Sequence, residues 1–143
     1  MAKSQSTASL MPIRRRYNRS EDAFNGWRDL PFVYRPKRGH KGASNWHVPP
    51  TDDYVAACKV GREYAAHFAQ FLRDNPELAG GFALGWIAAD IDFEDESGAK
   101  GYWVGFFSHL ERLIAATAAR IDPFADADAV SAYYADVAAR HPQ

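Results

Sequence analysis

The segment TDDYVAACKVGREYAAHFAQFLRD, residues 51–74, decides the fold class of this chain. Its aromatic and aliphatic side chains recur at steps of three and four residues, and most of its charged side chains fall between them. That spacing is typical of an amphipathic α-helix that buries one face. Thr51 or Asp52 is the expected N-cap after the preceding proline, and the helix is expected to end near Asp74.

The same helical signal continues toward the C-terminus. Of 25 alanines, 21 follow residue 50, and alanine is the strongest helix former. Asn75-Pro76 and Asp122-Pro123 each pair a capping side chain with a proline suited to the first helical position. Further helices are predicted over 76–91, 101–120 and 123–139. The fold class is therefore predicted as all-α, a bundle of about four main helices joined by short loops.

The predicted helix over residues 76–91 is apolar on nearly every side, which is typical of a central, buried helix. Gly81 and Gly85 lie one turn apart within it. We expect this pair to let a neighbouring helix approach closely, as small residues at a helix interface do.

The residues before position 51 differ in kind from those after it. Residues 1–20 combine low hydrophobicity with high charge, so a flexible, partly disordered basic arm is expected there. Residues 21–50 are predicted to form a short helix from Glu21 to Leu30 and then a Pro- and Gly-rich loop, both packed on the body. Residues 51–143 form the predicted helical domain.

Charge is distributed unevenly along the 143 residues. The formal net charge is −1, but residues 1–50 carry 10 Lys/Arg against 3 Asp/Glu, a balance of +7, and residues 51–143 carry 7 against 15, a balance of −8. With 47% hydrophobic residues, the composition excludes a wholly disordered or fibrous protein.

Cysteine content and apolar run length bear on location. A single cysteine, Cys58, excludes an intramolecular disulfide and a cysteine-based zinc site, and it favours a reducing, cytoplasmic setting. No apolar run approaches the ~20 residues of a membrane span, and the first ten residues lack the apolar core of a secretory signal. We therefore expect a cytoplasmic protein without a membrane partner.

No sequence motif specifies a catalytic chemistry. Cys58 and His67 lie half a turn out of phase on one helix, so they cannot form a nucleophile pair directly. A pair of Cys58 with His109 stays geometrically open, but Cys58 lies on the apolar stripe of its helix, so we interpret it as structural. Glu63 and His67 share a face at i, i+4, and we interpret them as a surface pair rather than a metal or acid–base site. The acidic run after Asp90 lacks the glycine and glutamate of a calcium-binding loop. No catalytic residue, no cofactor and no metal site are expected.

Two basic segments, residues 14–19 and 35–41, form the strongest functional signal. Positive charge of this kind neutralises phosphates and releases counterions, and Tyr17 and Tyr34 beside it are candidates for stacking on bases. Two alternatives stay open: the segments pair with the acidic half, within one chain or in a homodimer, or they only solubilise the chain. The candidate residues for nucleic acid or an acidic partner are Arg14, Arg15, Arg16, Arg19, Arg35, Lys37, Arg38 and Lys41.

An acidic turn over residues 92–100 forms the second candidate surface, together with Asp90 just before it. A compact acidic surface can occupy a basic groove on another protein, with fast association through electrostatic complementarity. Tyr102, Trp103 and Phe106 nearby are candidate anchors, although such aromatic residues are more typical of a core. The candidate protein-binding residues are Asp90, Asp92, Glu94, Asp95, Glu96 and Tyr102.

Three stretches carry a resemblance to a known class of proteins: Gly61-Arg62-Glu63-Tyr64-Ala65-Ala66, Ala88-Ala89-Asp90-Ile91-Asp92-Phe93, and Gly101-Tyr102-Trp103-Val104-Gly105-Phe106-Phe107. The chain resembles small accessory proteins of bacterial integrative and conjugative elements and plasmids, some of which are anti-CRISPR or antirestriction inhibitors. The resemblance implies a bacterial cytoplasm and a role in maintaining the element or defeating host defence. It implies no catalytic residues.

The predicted function is accordingly that of a non-catalytic accessory protein. It would bind, and inhibit or adapt, a host protein or nucleoprotein complex. The alternative is a DNA- or RNA-binding accessory protein that uses the basic N-terminal segments.

Overall fold

A computed structural model describes residues 11–18, 23–36 and 41–142. Predictions on Arg19, Lys37 and Arg38 therefore lie outside the described residues. Within the described part the chain has five helices, four of them seven or more residues long, and no strand. The helices are α1 (Ala23–Arg28), α2 (Tyr54–Asp74), α3 (Ala83–Ala89), α4 (Lys100–Ala118) and α5 (Pro123–Arg140). The predicted all-α fold with about four main helices is confirmed.

Helix α2 follows the sequence prediction closely. It ends at Asp74 as expected, but its N-cap is Asp53, whose carboxylate accepts a hydrogen bond from the Ala56 N–H at 3.0 Å, rather than Thr51 or Asp52. The side-chain amide of Asn75 donates to the Phe71 carbonyl at 2.9 Å and caps the other end. Asn75 therefore ends one helix, where the sequence predicts that it caps the next one.

The chain contains two compact units, Met1–Leu110 and Glu111–Gln143. The division lies within α4, whereas the composition changes near residue 50. The first unit holds the aromatic core, in which the Phe32 ring lies 5.4 Å from Trp46, 5.5 Å from Tyr64 and 5.6 Å from Phe106, centroid to centroid. These contacts bind the segment before residue 50 to α2 and α4.

Helices α2 and α4 approach each other backbone to backbone at glycines. A Cβ atom added to Gly61 would lie 2.0 Å from the Tyr102 carbonyl oxygen, and one added to Gly105 would lie 2.1 Å from the Cys58 carbonyl oxygen. The predicted close approach at Gly81 and Gly85 is wrong, because a Cβ at Gly85 would meet no atom within 4 Å.

The predicted continuous helix over residues 76–91 is also wrong. A 3₁₀ turn spans Pro76–Leu78, Gly80 adopts a positive φ of 84°, and α3 begins only at Ala83. Two adjacent glycines weaken a helix here, and the left-handed conformation at Gly80 ends it. In α3 only Ala83 and Ile87 are buried, so this segment is not central.

The second unit contains the end of α4 and all of α5. The predicted restart at Asp122 is present: its carboxylate accepts hydrogen bonds from Phe124 N–H at 3.0 Å and Ala125 N–H at 3.2 Å, with Pro123 at the first helical position. No residue of α5 is buried.

Candidate functional site

Residues 11–18 lie along one face of α2 through ion pairs. Arg14 donates two hydrogen bonds, both 2.8 Å long, to the two carboxylate oxygens of Glu63. Arg16 pairs with Asp74 at 2.5 Å. Two of the predicted basic residues therefore contact acids of α2 within the same chain, and neither of these acids belongs to the acidic turn.

Tyr17 is a core residue. Its side chain is 1% exposed, its backbone N–H donates to the Asp74 carboxylate at 2.7 Å, and its ring packs edge-on against Phe71. The expectation that Tyr17 belongs to a flexible arm and stacks on bases is wrong, because the aromatic ring buries its surface against α2. Tyr34, the other stacking candidate, is 40% exposed and stacks on His47.

The Tyr17 hydroxyl is hydrogen-bonded to Nδ1 of His67. The other ring nitrogen, Nε2, faces the Glu63 carboxylate at 3.4 Å. We assign the hydroxyl as the donor and place the imidazole proton on Nε2, toward the carboxylate. A chain of four side chains results, running from Tyr17 through His67 and Glu63 to Arg14. The predicted Glu63–His67 contact exists, but the surface interpretation is wrong for His67, which is only 3% exposed.

Burial and pairing together set the charges in this network. Burial lowers the pKa of His67, with the Glu63 carboxylate opposing the shift, so the imidazole is held neutral. Burial raises the pKa of Tyr17 to about 12, which keeps its hydroxyl protonated. The hydrogen bonds from Arg14 lower the pKa of Glu63 despite its partial burial. The network therefore holds one full ion pair and two neutral rings.

Asp74 anchors the same segment about two turns beyond His67 along α2. Burial alone would raise the pKa of this carboxyl, but hydrogen bonds from the Tyr17 N–H, Gln70 and Arg16 outweigh it and lower the pKa. The carboxylate is thus held charged below the protein surface, where an unpaired charge would be unfavourable.

An open groove of about 670 Å³ lies over this network. Among the described residues that line it, Glu63 is the only acid, and Arg14 neutralises it. Arg15, Lys59 and Arg62 are exposed, and no described residue forms an ion pair with them. The groove therefore has excess positive charge. Its lining consists of Met11, Arg14, Arg15, Lys59, Arg62, Glu63, Ala66, His67, Gln70 and His109.

The remaining predicted basic residues do not join this groove. Arg35 donates to the Asn45 side-chain carbonyl at 3.0 Å, and Lys41 is exposed; neither lines the cavity. Lys59, Arg62 and His109 were not predicted to belong to a site. The spacing of Lys59 and Arg62 at i, i+3 was the available signal, because it places them on one helix face.

The predicted acidic turn keeps most of its carboxylates at the surface. Asp92 and Asp95 accept hydrogen bonds from the N–H groups of Glu94 at 3.0 Å and Ser97 at 2.8 Å, which fix the turn. The Ser97 contacts also lower the pKa of Asp95. Asp90 accepts from the Asn45 N–H at 2.7 Å.

Tyr102 is not part of the acidic surface. Its side chain is 0% exposed, because helix α4 directs it against Tyr64 in the core, so the prediction that it contacts a partner is wrong. The aromatic residue exposed at the turn is Phe93, which is 48% exposed and packs on Trp103 at 5.1 Å. Phe93 was not predicted to belong to a site; its position inside the acidic run is the signal that could have identified it.

Among the described residues, no group of three or more His, Cys, Asp or Glu side chains is arranged to hold a metal ion. None of the helices in that part of the chain combines the length and apolar character needed to cross a membrane. Comparisons with protein-family models, with curated proteins and with solved structures find no match to this chain.

Proposed function

We propose that this protein binds the phosphate backbone of a nucleic acid in the groove over α2. The supporting observation is the convergence of Arg15, Lys59 and Arg62 on one open concavity, where no described acidic residue neutralises them. Arginine and lysine side chains supply most phosphate contacts in nucleic-acid complexes, and guanidinium groups bind phosphate oxygens in a bidentate manner.

The groove favours backbone contacts over base recognition. Tyr17 is buried, and the described lining holds no Phe, Tyr or Trp side chain, so it offers no large aromatic ring on which bases could stack. Binding is therefore expected to depend weakly on sequence. If the three cations that have no ion-pair partner among the described residues each contact a phosphate, the logarithm of the binding constant for duplex DNA should fall with log salt with a slope of about −3.

Fluorescence anisotropy with labelled duplex and single-stranded oligonucleotides at low salt tests this proposal. Replacing both Lys59 and Arg62 with glutamine should weaken binding at least tenfold, an estimate of about 1.4 kcal/mol or more. The matched control is Lys41→Gln, which removes an exposed cation outside the groove. No salt-dependent binding by the wild type, or an equal loss in the control, would contradict the proposal.

The acidic turn supports a second candidate function, binding to a basic surface of a partner protein. Phe93 projects from the turn, and the exposed carboxylates of Asp92, Glu94 and Glu96 surround it in sequence. An aromatic side chain beside several carboxylates fits a basic protein surface with an apolar pocket. Only the resemblance to mobile-element accessory proteins suggests a host defence complex as this partner.

Affinity capture from nuclease-treated bacterial lysate distinguishes the two candidates. A protein retained by the wild type, lost with Phe93→Ser and retained by the Lys59/Arg62 double variant would support the acidic-turn function. Phe82→Ser is the matched control, because Phe82 is also exposed but lies outside the turn. Capture that requires nucleic acid, or that survives Phe93→Ser, would contradict this second function.

A further inference from the structure

Helix α5 is 18 residues long and buries none of them. Its largest side chains are among the most exposed apolar groups of the protein, with Phe124 83%, Tyr133 63% and Tyr134 59% accessible. Most helical stability in proteins comes from packing an apolar face, and a unit of 33 residues is below the size that usually folds without added stabilisation. The apolar face of α5 therefore lacks a partner within its own unit.

We propose that α5 pairs with α5 of a second copy of this chain, in an antiparallel arrangement. The sequence of α5 carries a coiled-coil seam at the spacing 3, 4, 3, formed by Ala127, Val130, Tyr134 and Val137. Antiparallel pairing about residue 132 sets Val130 of each copy against Tyr134 of the other, and Ala127 against Val137. Each layer then joins a smaller side chain to a larger one, which fills the seam evenly.

Charge complementarity supports this direction of pairing. Asp126 and Arg140 occupy equivalent positions beside the seam, two heptads apart, with Tyr133 midway between them. In the antiparallel arrangement Asp126 of each copy lies opposite Arg140 of the other, and the two Tyr133 side chains meet at the symmetry axis. A parallel arrangement would place Asp126 beside Ser131 and leave both charges unmatched.

The intrachain contact of Arg140 does not oppose the pairing. Arg140 binds Asp136 at 2.8 Å, and the two side chains are 72% and 56% exposed. An exposed ion pair of this kind contributes little to stability, so the guanidinium can exchange to Asp126 of the second copy or bridge both carboxylates. The pairing lies in the second unit and does not depend on the proposed function of the groove.

Sedimentation equilibrium of the full chain over a concentration series tests the pairing. The wild type should show a monomer–dimer equilibrium, and Tyr134→Asp should raise the dissociation constant at least about tenfold. Circular dichroism checks that the variant keeps its helices. A wild type that stays monomeric throughout, or a folded Tyr134→Asp variant that dimerises as well as the wild type, would overturn the proposal.

A matched charge pair tests the register. Asp126→Arg places like charges beside the seam and should weaken the dimer, whereas Asp128→Arg makes the same change in the same turn on the outer face and should not. Adding Arg140→Asp to Asp126→Arg should recover part of the loss. Equal effects of the two single variants would overturn the proposed register.

Crosslinking tests the direction. Antiparallel pairing brings Ser131 of the two copies close together at the axis, on the side opposite Tyr133. In a Cys58→Ala background, Ser131→Cys should form a dimer with a short bismaleimide, and Asp128→Cys should not. Crosslinking through residue 128 but not through residue 131 would contradict the antiparallel arrangement.

Discussion

At the scale of single residues, Tyr17 joins the N-terminal segment to the body. Its ring is buried, its N–H binds Asp74, and its hydroxyl binds His67, so one residue contributes apolar burial and two polar contacts. Arg14 and Arg16 on either side form ion pairs with the same helix. Basic residues that suggest a nucleic-acid-binding arm are thus partly used to attach the segment to α2.

Replacing Tyr17 with phenylalanine tests this role. The change keeps the ring but leaves Nδ1 of buried His67 without its partner, which should lower the free energy of unfolding by about 1–3 kcal/mol. Denaturant unfolding measures the difference. Tyr34→Phe is the matched control, because the Tyr34 ring is 40% exposed, and it should change stability by no more than about 0.5 kcal/mol. Equal effects of the two variants would show that the Tyr17 hydroxyl contributes nothing specific.

The histidine in this network predicts a pH dependence. Burial lowers the pKa of His67 in the folded state, so as pH falls through about 6.5 the unfolded chain takes up the proton first. The free energy of unfolding should therefore decrease between pH 7 and pH 5. Thermal unfolding at several pH values should show a smaller decrease for His67→Gln, while His141→Gln, outside the network, should follow the wild type. An unchanged pH profile in His67→Gln would contradict the assignment.

The carboxyl groups of Glu63 and Asp74 also make the free energy of unfolding decrease as the pH falls, but they do so at a lower pH than His67. The pKa values of Glu63 and Asp74 are lowered in the folded state, so their stabilisation is present above the ordinary carboxyl range. It is lost as pH falls through their folded-state pKa values. As the pH falls, protonation linked to His67 should therefore first lower the stability of the protein, and protonation of Glu63 and Asp74 should then detach residues 11–18 from α2.

At the scale of helices, the close contact between α2 and α4 requires glycine at three positions, because glycine has no side chain. Gly61 lies on one helix and Gly101 and Gly105 on the other, and each added Cβ would come within 2.4 Å of a carbonyl oxygen across the contact. The helices can therefore approach closely enough for Tyr64 and Tyr102 to stack at 5.9 Å. A larger side chain at one of these glycines would push against the backbone of the other helix, which cannot move aside as a flexible side chain can.

Two alanine substitutions separate packing from helix propensity. Gly105→Ala should lower the free energy of unfolding by about 1–3 kcal/mol or more, because the new methyl group meets the Cys58 carbonyl. Gly85→Ala adds the same group where no atom lies within 4 Å, and it should raise stability by about 0.5–1 kcal/mol. Denaturant unfolding of both variants shows whether each substitution raises or lowers the free energy of unfolding. A stabilising Gly105→Ala would contradict the close approach.

At the scale of the whole molecule, the two units differ in how much they bury. The first contains every buried hydrophobic residue of the described chain, from Tyr17 to Phe106, and the second contains none. Regions with few buried apolar contacts open at lower free energy than core elements. The second unit is therefore expected to open independently of the first.

Hydrogen exchange measured by mass spectrometry tests this difference. In dilute protein, amides of α5 should exchange much faster than those of α2, whose buried face carries nine buried residues. Raising the protein concentration should slow exchange in α5 and leave α2 unchanged if a second copy covers α5. Equal protection of the two helices in dilute protein would contradict the division into units of unequal stability.

The elements were largely predictable, and the site was predictable only in part. The end of α2 at Asp74 and the cap at Asp122 follow from local periodicity and capping chemistry, which depend on neighbouring residues alone. The break at Gly80 was missed because apolar composition outweighed the two glycines in the prediction. Arg14 and Arg15, two of the sequence candidates, line the groove, but their neighbours Lys59 and Arg62 come from a helix about 45 residues away in sequence, and no local pattern joins the two segments.

The sequence by itself determined an all-α chain with an uneven charge distribution, because helix formation and net charge are properties of composition and short-range spacing. Only the tertiary structure decided what the charges do. It pairs Arg14 and Arg16 with α2, buries Tyr17 and Tyr102, and places Arg15, Lys59 and Arg62 around one groove, where no described residue forms an ion pair with them. The reason is that ion pairing and burial depend on distances between residues remote in sequence, which folding sets and local spacing does not.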